Sequence, residues 1–311
     1  MNQRMRKGWC LLLLLPLMML LSKKVEAHEL SSSNSQPKKY CFSICSLIKN
    51  EDKYLKEWIE YHKIVGVDHF YLYNNGSRDR TKDVLAPYIK EGLVTLINWP
   101  NRFPGHMEDD VLWALTVQLP AFENAAKFLA IKDTKWLAVV EIDEFIVPVN
   151  ARTISEILEG CDEFPGIQVT TDYFDASRDN QVPKRNLVIQ TVELTNSPEQ
   201  RIERSVEKII LKPERYTTFT WPPYKCNFLN NEMPQKIGKG QLRINKYVNR
   251  SKGTLNFGRI KDKSRIDNRL ISHDELQMVL EVGYEVEDQD RAIFRFVPEL
   301  LKKMGFESGA I

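Results

Sequence analysis

The stretch VVEIDEFIVP, residues 139–148, sets Glu141, Asp143 and Glu144 inside an otherwise apolar run. A carboxylate leaves water only at a large cost unless cations or hydrogen-bond donors replace the lost hydration. The three acids therefore meet a partner or lie at an edge. WLAVVEIDEFIVP, residues 136–148, reads as one strand with EIDEF towards its carboxyl end. Residues two apart in a strand share a face, so Glu141 and Asp143 are expected to project together while Ile142 packs the other way. Paired carboxylates at the open end of a sheet suit a hard divalent cation, Mn²⁺ or Mg²⁺. The competing reading is a pair of carboxylates that meets Arg or Lys from another loop.

The upstream sequence places this run in an α/β fold. CFSICSLI (41–48) reads as a strand that is apolar on both faces and so central. In EDKYLKEWIEYHKIVG, Tyr54, Leu55, Trp58, Ile59, Tyr61, His62 and Val65 form one helical stripe, which Gly66 ends. VDHFYLYN (67–74) is a second strand, NNGSRD a turn, DVLAPYIKEG a helix and LVTLINW (93–99) a third strand. A further helix spans residues 117–132. Strands alternating with helices predict a mostly parallel central sheet with right-handed crossovers and flanking helices. Ligands of such sheets bind beyond the carboxyl ends of the strands, where EIDEF lies.

The second half is less regular. IQVTTDYF, NLVIQTVEL and EKIILKP read as strands, residues 217–239 as loop, and HDELQMVLEVG and AIFRFVPELLKKMG as helices. Cations from Lys236 to Arg269 form either a solvated basic face or a surface for an anionic diphosphate.

The N-terminus has a basic head (Arg4, Arg6, Lys7), an apolar stretch from Trp9 to Leu21 and a small residue at Ala27. This is the pattern of a secretory signal, residues 1–27. A short membrane anchor is the alternative. Removing the segment takes five cations and one anion (Glu26) and moves the formal charge from +2 to −2, so nothing in the balance calls for a nucleic-acid partner. Ser-rich residues 28–39 read as a linker, 40–306 as one catalytic domain and 307–311 as a tail. Cys41 and Cys45 are too far apart along a strand to bond to each other, and the four cysteines after the signal match no zinc spacing.

CSLIKNEDKYLKEWIEYHKIVGVDHFYLYNNGSRD and QLPAFENAAKFLAIKDTKWLAVVEIDEFIVP together resemble the opening and central blocks of glycosyltransferase family 92, the latter ending in D-x-D-E-F. KIILKPER, RINKYVNRS and EDQDRAIFRFVP resemble its later segments, so the resemblance covers roughly residues 40–300. It implies a GT-A-like α/β fold in a single catalytic domain. It also implies metal-dependent, inverting transfer from a nucleotide sugar, such as UDP-galactose, to a glycan hydroxyl. That activity belongs in the secretory pathway, the Golgi lumen if the source is eukaryotic, with membrane association through the N-terminus.

By the same resemblance Glu141 and Asp143 would hold Mn²⁺ or Mg²⁺. Lys49, Asn50 and Glu51 would line the nucleotide site, and Asp79, after the second strand's turn, would face the nucleobase. Asp172, Asp175 and Glu144 are the candidates for the base that takes the acceptor's proton. The chain departs from the family pattern at Glu141, where the family has Asp, and at Lys246, where N-H-Y has His. Thr171, Phe174 and Asp175 stand where the family tends to W-x-x-F-G. Lys246 could contact phosphate as a point charge. Two other readings are a family member that binds without catalysis and a carbohydrate-binding protein that uses Trp221 and Tyr224. A metal-dependent hydrolase is disfavoured by its five scattered histidines.

Overall fold

A computed structural model describes residues 37–100, 113–175, 187–190, 207–220, 225–248 and 288–306. The expected start is observed: β1 (Tyr40–Ile48), α1 (Leu55–Ile64), β2 (His69–Asn74), α2 (Thr81–Lys90) and β3 (Val94–Asn98). β1 and β2 pair in parallel, as do β2 and β3. β1 is central because its side chains from Phe42 to Cys45 are buried whichever face they take. The next helical segment, α3, is built from Ala114–Gln118, Leu119–Asn124, Ala125–Ala130 and Ile131–Asp133, the first and third wound as wider π turns.

The stretch 136–148 is not one strand. β4 (Thr134–Val139) pairs in parallel with β1, the chain turns at residues 140–143, and β5 (Glu144–Pro148) pairs antiparallel with β11 (Leu242–Val248). The turn is closed by a hydrogen bond from Glu144 N–H to the Glu141 carbonyl, 3.0 Å. The remaining strands of this sheet are β6 (Gly166–Asp175), β7 (Glu207–Leu211) and β10 (Gln235–Lys236). Among the described residues the order is β3-β2-β1-β4-β7-β6-β11-β5, with β10 beside β6. Most of the pairings are parallel, as the sequence predicted.

Four strand spacings, about 19 Å in a flat sheet, separate β4 from β5. The five Cα–Cα steps from Val139 to Glu144 reach at most about 18 Å fully extended, and a closed turn spans less. The sheet must therefore curl, which brings its β5 edge back to its middle. α1 holds the seam: Trp58 Nε1 donates to the Glu144 carbonyl at 2.8 Å and Tyr61 Oη to the Ile146 carbonyl at 3.1 Å. His62 accepts from Ile146 N–H through Nε2 at 3.2 Å, so its proton is on Nδ1, facing the Trp58 carbonyl at 2.8 Å.

Residues 217–239, expected as loop, contain the hairpin β8 (Tyr216–Thr220) and β9 (Lys225–Phe228) as well as β10. Val188–Gln190, expected as strand, forms a 3₁₀ turn, with Ile189 N–H bound to the buried Glu57 carboxylate at 3.1 Å. The short helix α4 (Ile154–Glu159) is capped by the Thr153 hydroxyl, and α5 (Val297–Met304) follows a 3₁₀ stretch, Asp288–Phe296. The described residues from Lys39 onward belong to one compact unit. No helix among the described residues is long and apolar enough to cross a membrane. The signal or anchor (1–27), Trp221, Tyr224 and the helix expected at 273–283 lie outside the described residues.

Candidate functional site

Two loops meet where β1 and β2 end, and they are stitched together by hydrogen bonds. Asn50, in the left-handed region (φ 56°), takes Ser77 Oγ on its N–H at 3.0 Å, and its Oδ1 accepts from Arg78 N–H at 2.8 Å. Asparagine tolerates this conformation better than most side chains. Glu51 N–H donates to Thr81 Oγ1 at 3.2 Å. Asp79 accepts from Asp52 N–H at 2.9 Å and from Thr81 N–H at 3.1 Å, tying the first loop to the start of α2. Burial would raise the Asp79 pKa, but the Thr81 hydroxyl and these backbone N–H groups outweigh it and hold it below the ordinary value. The Lys49 pKa is lowered, first by burial and then by the nearby Arg78 cation. Lys49, Asn50, Glu51 and Asp79 are thus brought to one place.

The acidic turn leaves the carboxyl end of β4, on the same edge of the sheet as these loops, and Val140 N–H continues the ladder onto the Cys45 carbonyl of β1. Glu141, Asp143 and Glu144 each present a carboxylate oxygen, all within 4.8 Å of one another. The turn, not strand alternation, makes Glu141 and Asp143 project together. Glu144 is buried, and its two oxygens take Lys246 Nζ at 2.9 Å, Lys208 Nζ, and Glu141 N–H at 2.8 Å. Lys246 Nζ also contacts Glu141 Oε2, and it lies 3.4 Å from Asp143 Oδ1. Tyr247 N–H fixes the turn's backbone through the Asp143 carbonyl at 2.8 Å.

The expected basic surface holds only in part among the described residues: Lys236 is exposed, whereas Arg243 is buried and Lys246 lies on carboxylates. Lys246 registers with Glu144 on β5 and Tyr173 on β6, while Asp172 registers with Asn245. Registered residues share a face and sequence neighbours do not, so Asp172 leaves β6 on the face opposite Lys246. There it pairs with Lys239. Asp175 ends β6 opposite Val248. The sequence reading missed Lys208 and Lys239. Lys208 carried a signal, a lone cation before the apolar run IIL; Lys239, in a polar turn, carried none.

Three hard oxygens in this spacing fit Mn²⁺ or Mg²⁺ by donor chemistry. The sequence profile of glycosyltransferase family 92 matches residues 38–278. The chain belongs to glycosyltransferase family 92. A family 92 protein of Oryza sativa subsp. japonica is 24% identical over 215 residues, covering 68% of this chain and 33% of its own length. A galactan beta-1,4-galactosyltransferase of Arabidopsis thaliana is 32% identical over 145 residues, 44% of this chain and 27% of its own. The chain spans about a third of the length of such family 92 relatives. Among solved structures, the glucosyl-3-phosphoglycerate synthase of Mycobacterium tuberculosis, in complex with Mn²⁺, UDP and glucosyl-3-phosphoglycerate, is similar at 13% identity and a TM-score of 0.33. That match covers 88% of this chain and 82% of the synthase. All four free cysteines of the described part lack disulfide partners, with Cys41 exposed and Cys45 and Cys161 buried.

Proposed function

We propose that this chain transfers a sugar from a UDP-sugar, UDP-galactose by analogy with the galactan relative, to a glycan hydroxyl with inversion. The observation that carries the reading is that two features share one edge of the sheet, following the carboxyl ends of the parallel strands β1, β2 and β4: the laced Lys49–Asp79 loops and the three-carboxylate turn. The loops would bind the nucleotide, with Lys49 and Arg78 facing its anionic part and Asp79 holding both loops in place. Glu141 and Asp143 would hold Mn²⁺ or Mg²⁺, with the more deeply buried Glu144 behind them. A bound divalent cation supplies neutralisation of the charge that grows on the departing diphosphate.

Of the three carboxylates considered as proton acceptor, Glu144 is saturated by two lysines and Asp172 is paired on the other face. We therefore assign the role to Asp175, which has to lie within hydrogen-bond reach of the acceptor hydroxyl. The N-terminal segment is consistent with action in the lumen of the secretory pathway.

The experiment is a thermal shift. A ligand that binds only the folded state raises the melting temperature by mass action. Millimolar UDP with Mn²⁺ is expected to raise it, and Asp79→Ala to abolish most of the rise. No shift in the wild-type chain would contradict a nucleotide site and favour a carbohydrate-binding protein, which needs none.

A further inference from the structure

Lys246 touches all three carboxylates of the acidic turn: Glu144 Oε1 at 2.9 Å, Asp143 Oδ1 at 3.4 Å, and Glu141 Oε2. Its side chain is only 15% exposed. The strand register places it there: Lys246 pairs directly with Glu144 across the β11–β5 ladder, so the two side chains rise from the same face at neighbouring positions. The turn then folds Glu141 and Asp143 over the ammonium. Lys208 engages Glu144 from β7 on its second oxygen, so the inner carboxylate stays neutralised even without Lys246.

A divalent cation bound by oxygens 4.8 Å apart at most would sit between them, where the Lys246 ammonium already is. Two cations cannot share that space, because like charges at such range repel strongly in a partly buried site. We infer that Lys246 is an internal counter-ion of the metal site, exchanging with the divalent cation: its ammonium closes the carboxylate cluster when no metal is bound and must leave for metal to enter. The inference rests on the metal-binding reading of the turn given above. A flexible four-carbon stem lets the ammonium withdraw without moving β11. The consequence is a metal affinity set by competition, weaker than the three carboxylates alone would give.

The test is Mn²⁺ binding to the full chain, without nucleotide, followed by calorimetry and by the loss of the free-ion paramagnetic resonance signal. Lys246→Met is expected to bind Mn²⁺ at least about ten-fold tighter than wild type, the factor that ~1.4 kcal/mol of relieved competition gives. Lys246→Arg, which keeps the charge, is expected to show no gain. If Lys246→Met melts early, Lys246→Gln replaces it. A measurement on the unaltered chain stands beside both: amine acetylation at Lys246, read by peptide mass spectrometry, should rise when Mn²⁺ is added. Equal or weaker binding by the neutral variants, or acetylation that ignores Mn²⁺, would overturn the inference while leaving the metal site intact. No binding of millimolar Mn²⁺ by any of these chains would overturn both.

Discussion

Lys208 and Glu144 form an ion pair in which both side chains are almost wholly buried, 3% and 1% exposed. The same carboxylate accepts from Glu141 N–H, so the pair fixes the acidic turn from the inside. Burial would raise the Glu144 pKa, but Lys208 and then Lys246 outweigh it and bring it down to about 2. The turn therefore divides its work. Glu144 is a structural anion, while Glu141 is partly exposed and Asp143, though buried, is less enclosed than Glu144.

Breaking that pair should cost stability rather than chemistry alone. Lys208→Met leaves a buried carboxylate short of one partner, and urea unfolding is expected to show a loss of about 3–5 kcal/mol. Adding Glu144→Leu should recover part of it, since an apolar pair of similar volume has no charge to desolvate. A loss below about 1 kcal/mol, the range of exposed pairs, would contradict the assignment.

His62 makes the fold acid-sensitive. Burial lowers its pKa from 6.5 to about 3, against a smaller opposing effect of its bond to the Trp58 carbonyl. Protonation would destroy the acceptor that Ile146 N–H needs. The unfolded chain takes up this proton below about pH 6.5 and the folded chain only near 3, so stability falls as pH drops through that window. The slope is about 1.4 kcal/mol per pH unit. Glu144, with a folded value near 2 against 4.5, adds a second loss as pH falls from about 4.5 to 2. Unfolding free energies measured between pH 7.5 and 5 should slope in the wild type and be nearly flat in His62→Gln.

The sequence made the first three strands, both intervening helices and the parallel sheet legible, because apolar runs and stripes there coincide with element boundaries. It could not show where β4 ends. Val140 and Ile142 are as apolar as the strand residues around them, and the turn closed between Glu141 and Glu144 contains neither glycine nor proline. The β8–β9 hairpin was hidden for the opposite reason, since its prolines and asparagines read as loop. The acids of the site were legible as charges in an apolar run; their lysine partners were not, because Lys246 and Lys208 come from strands 102 and 64 residues from Glu144 in sequence and meet it only through tertiary packing. Asp172 looked equivalent to Asp175 until the register of β6 against β11 gave it a face.

Asn75, in the sequon Asn75-Gly76-Ser77, is 2% exposed, and its Nδ2 donates to the Trp99 carbonyl at 2.9 Å. A glycan on that nitrogen would need the side chain expelled from the β2 end. Expressed through a eukaryotic secretory pathway, the folded chain is expected to carry no sugar at Asn75. Asn249, in the second sequon, lies outside the described residues. Peptide mass spectrometry that finds Asn75 occupied in folded protein would contradict the packing of this loop.

The central claim is that the Glu141 and Asp143 carboxylates serve sugar transfer. Asp143→Asn keeps the shape of the side chain and removes a charge that lies 3.4 Å from Lys246 at a largely buried position. The measurement is the initial rate of transfer from UDP-galactose, and from other UDP-sugars, with Mn²⁺ present, alongside the melting temperature of each chain. The account predicts a folded Asp143→Asn chain whose rate is at least ~100-fold lower, the scale of losing one preorganised electrostatic contact, and a Glu141→Asp chain that keeps its activity. Equal rates for wild type and Asp143→Asn would contradict it.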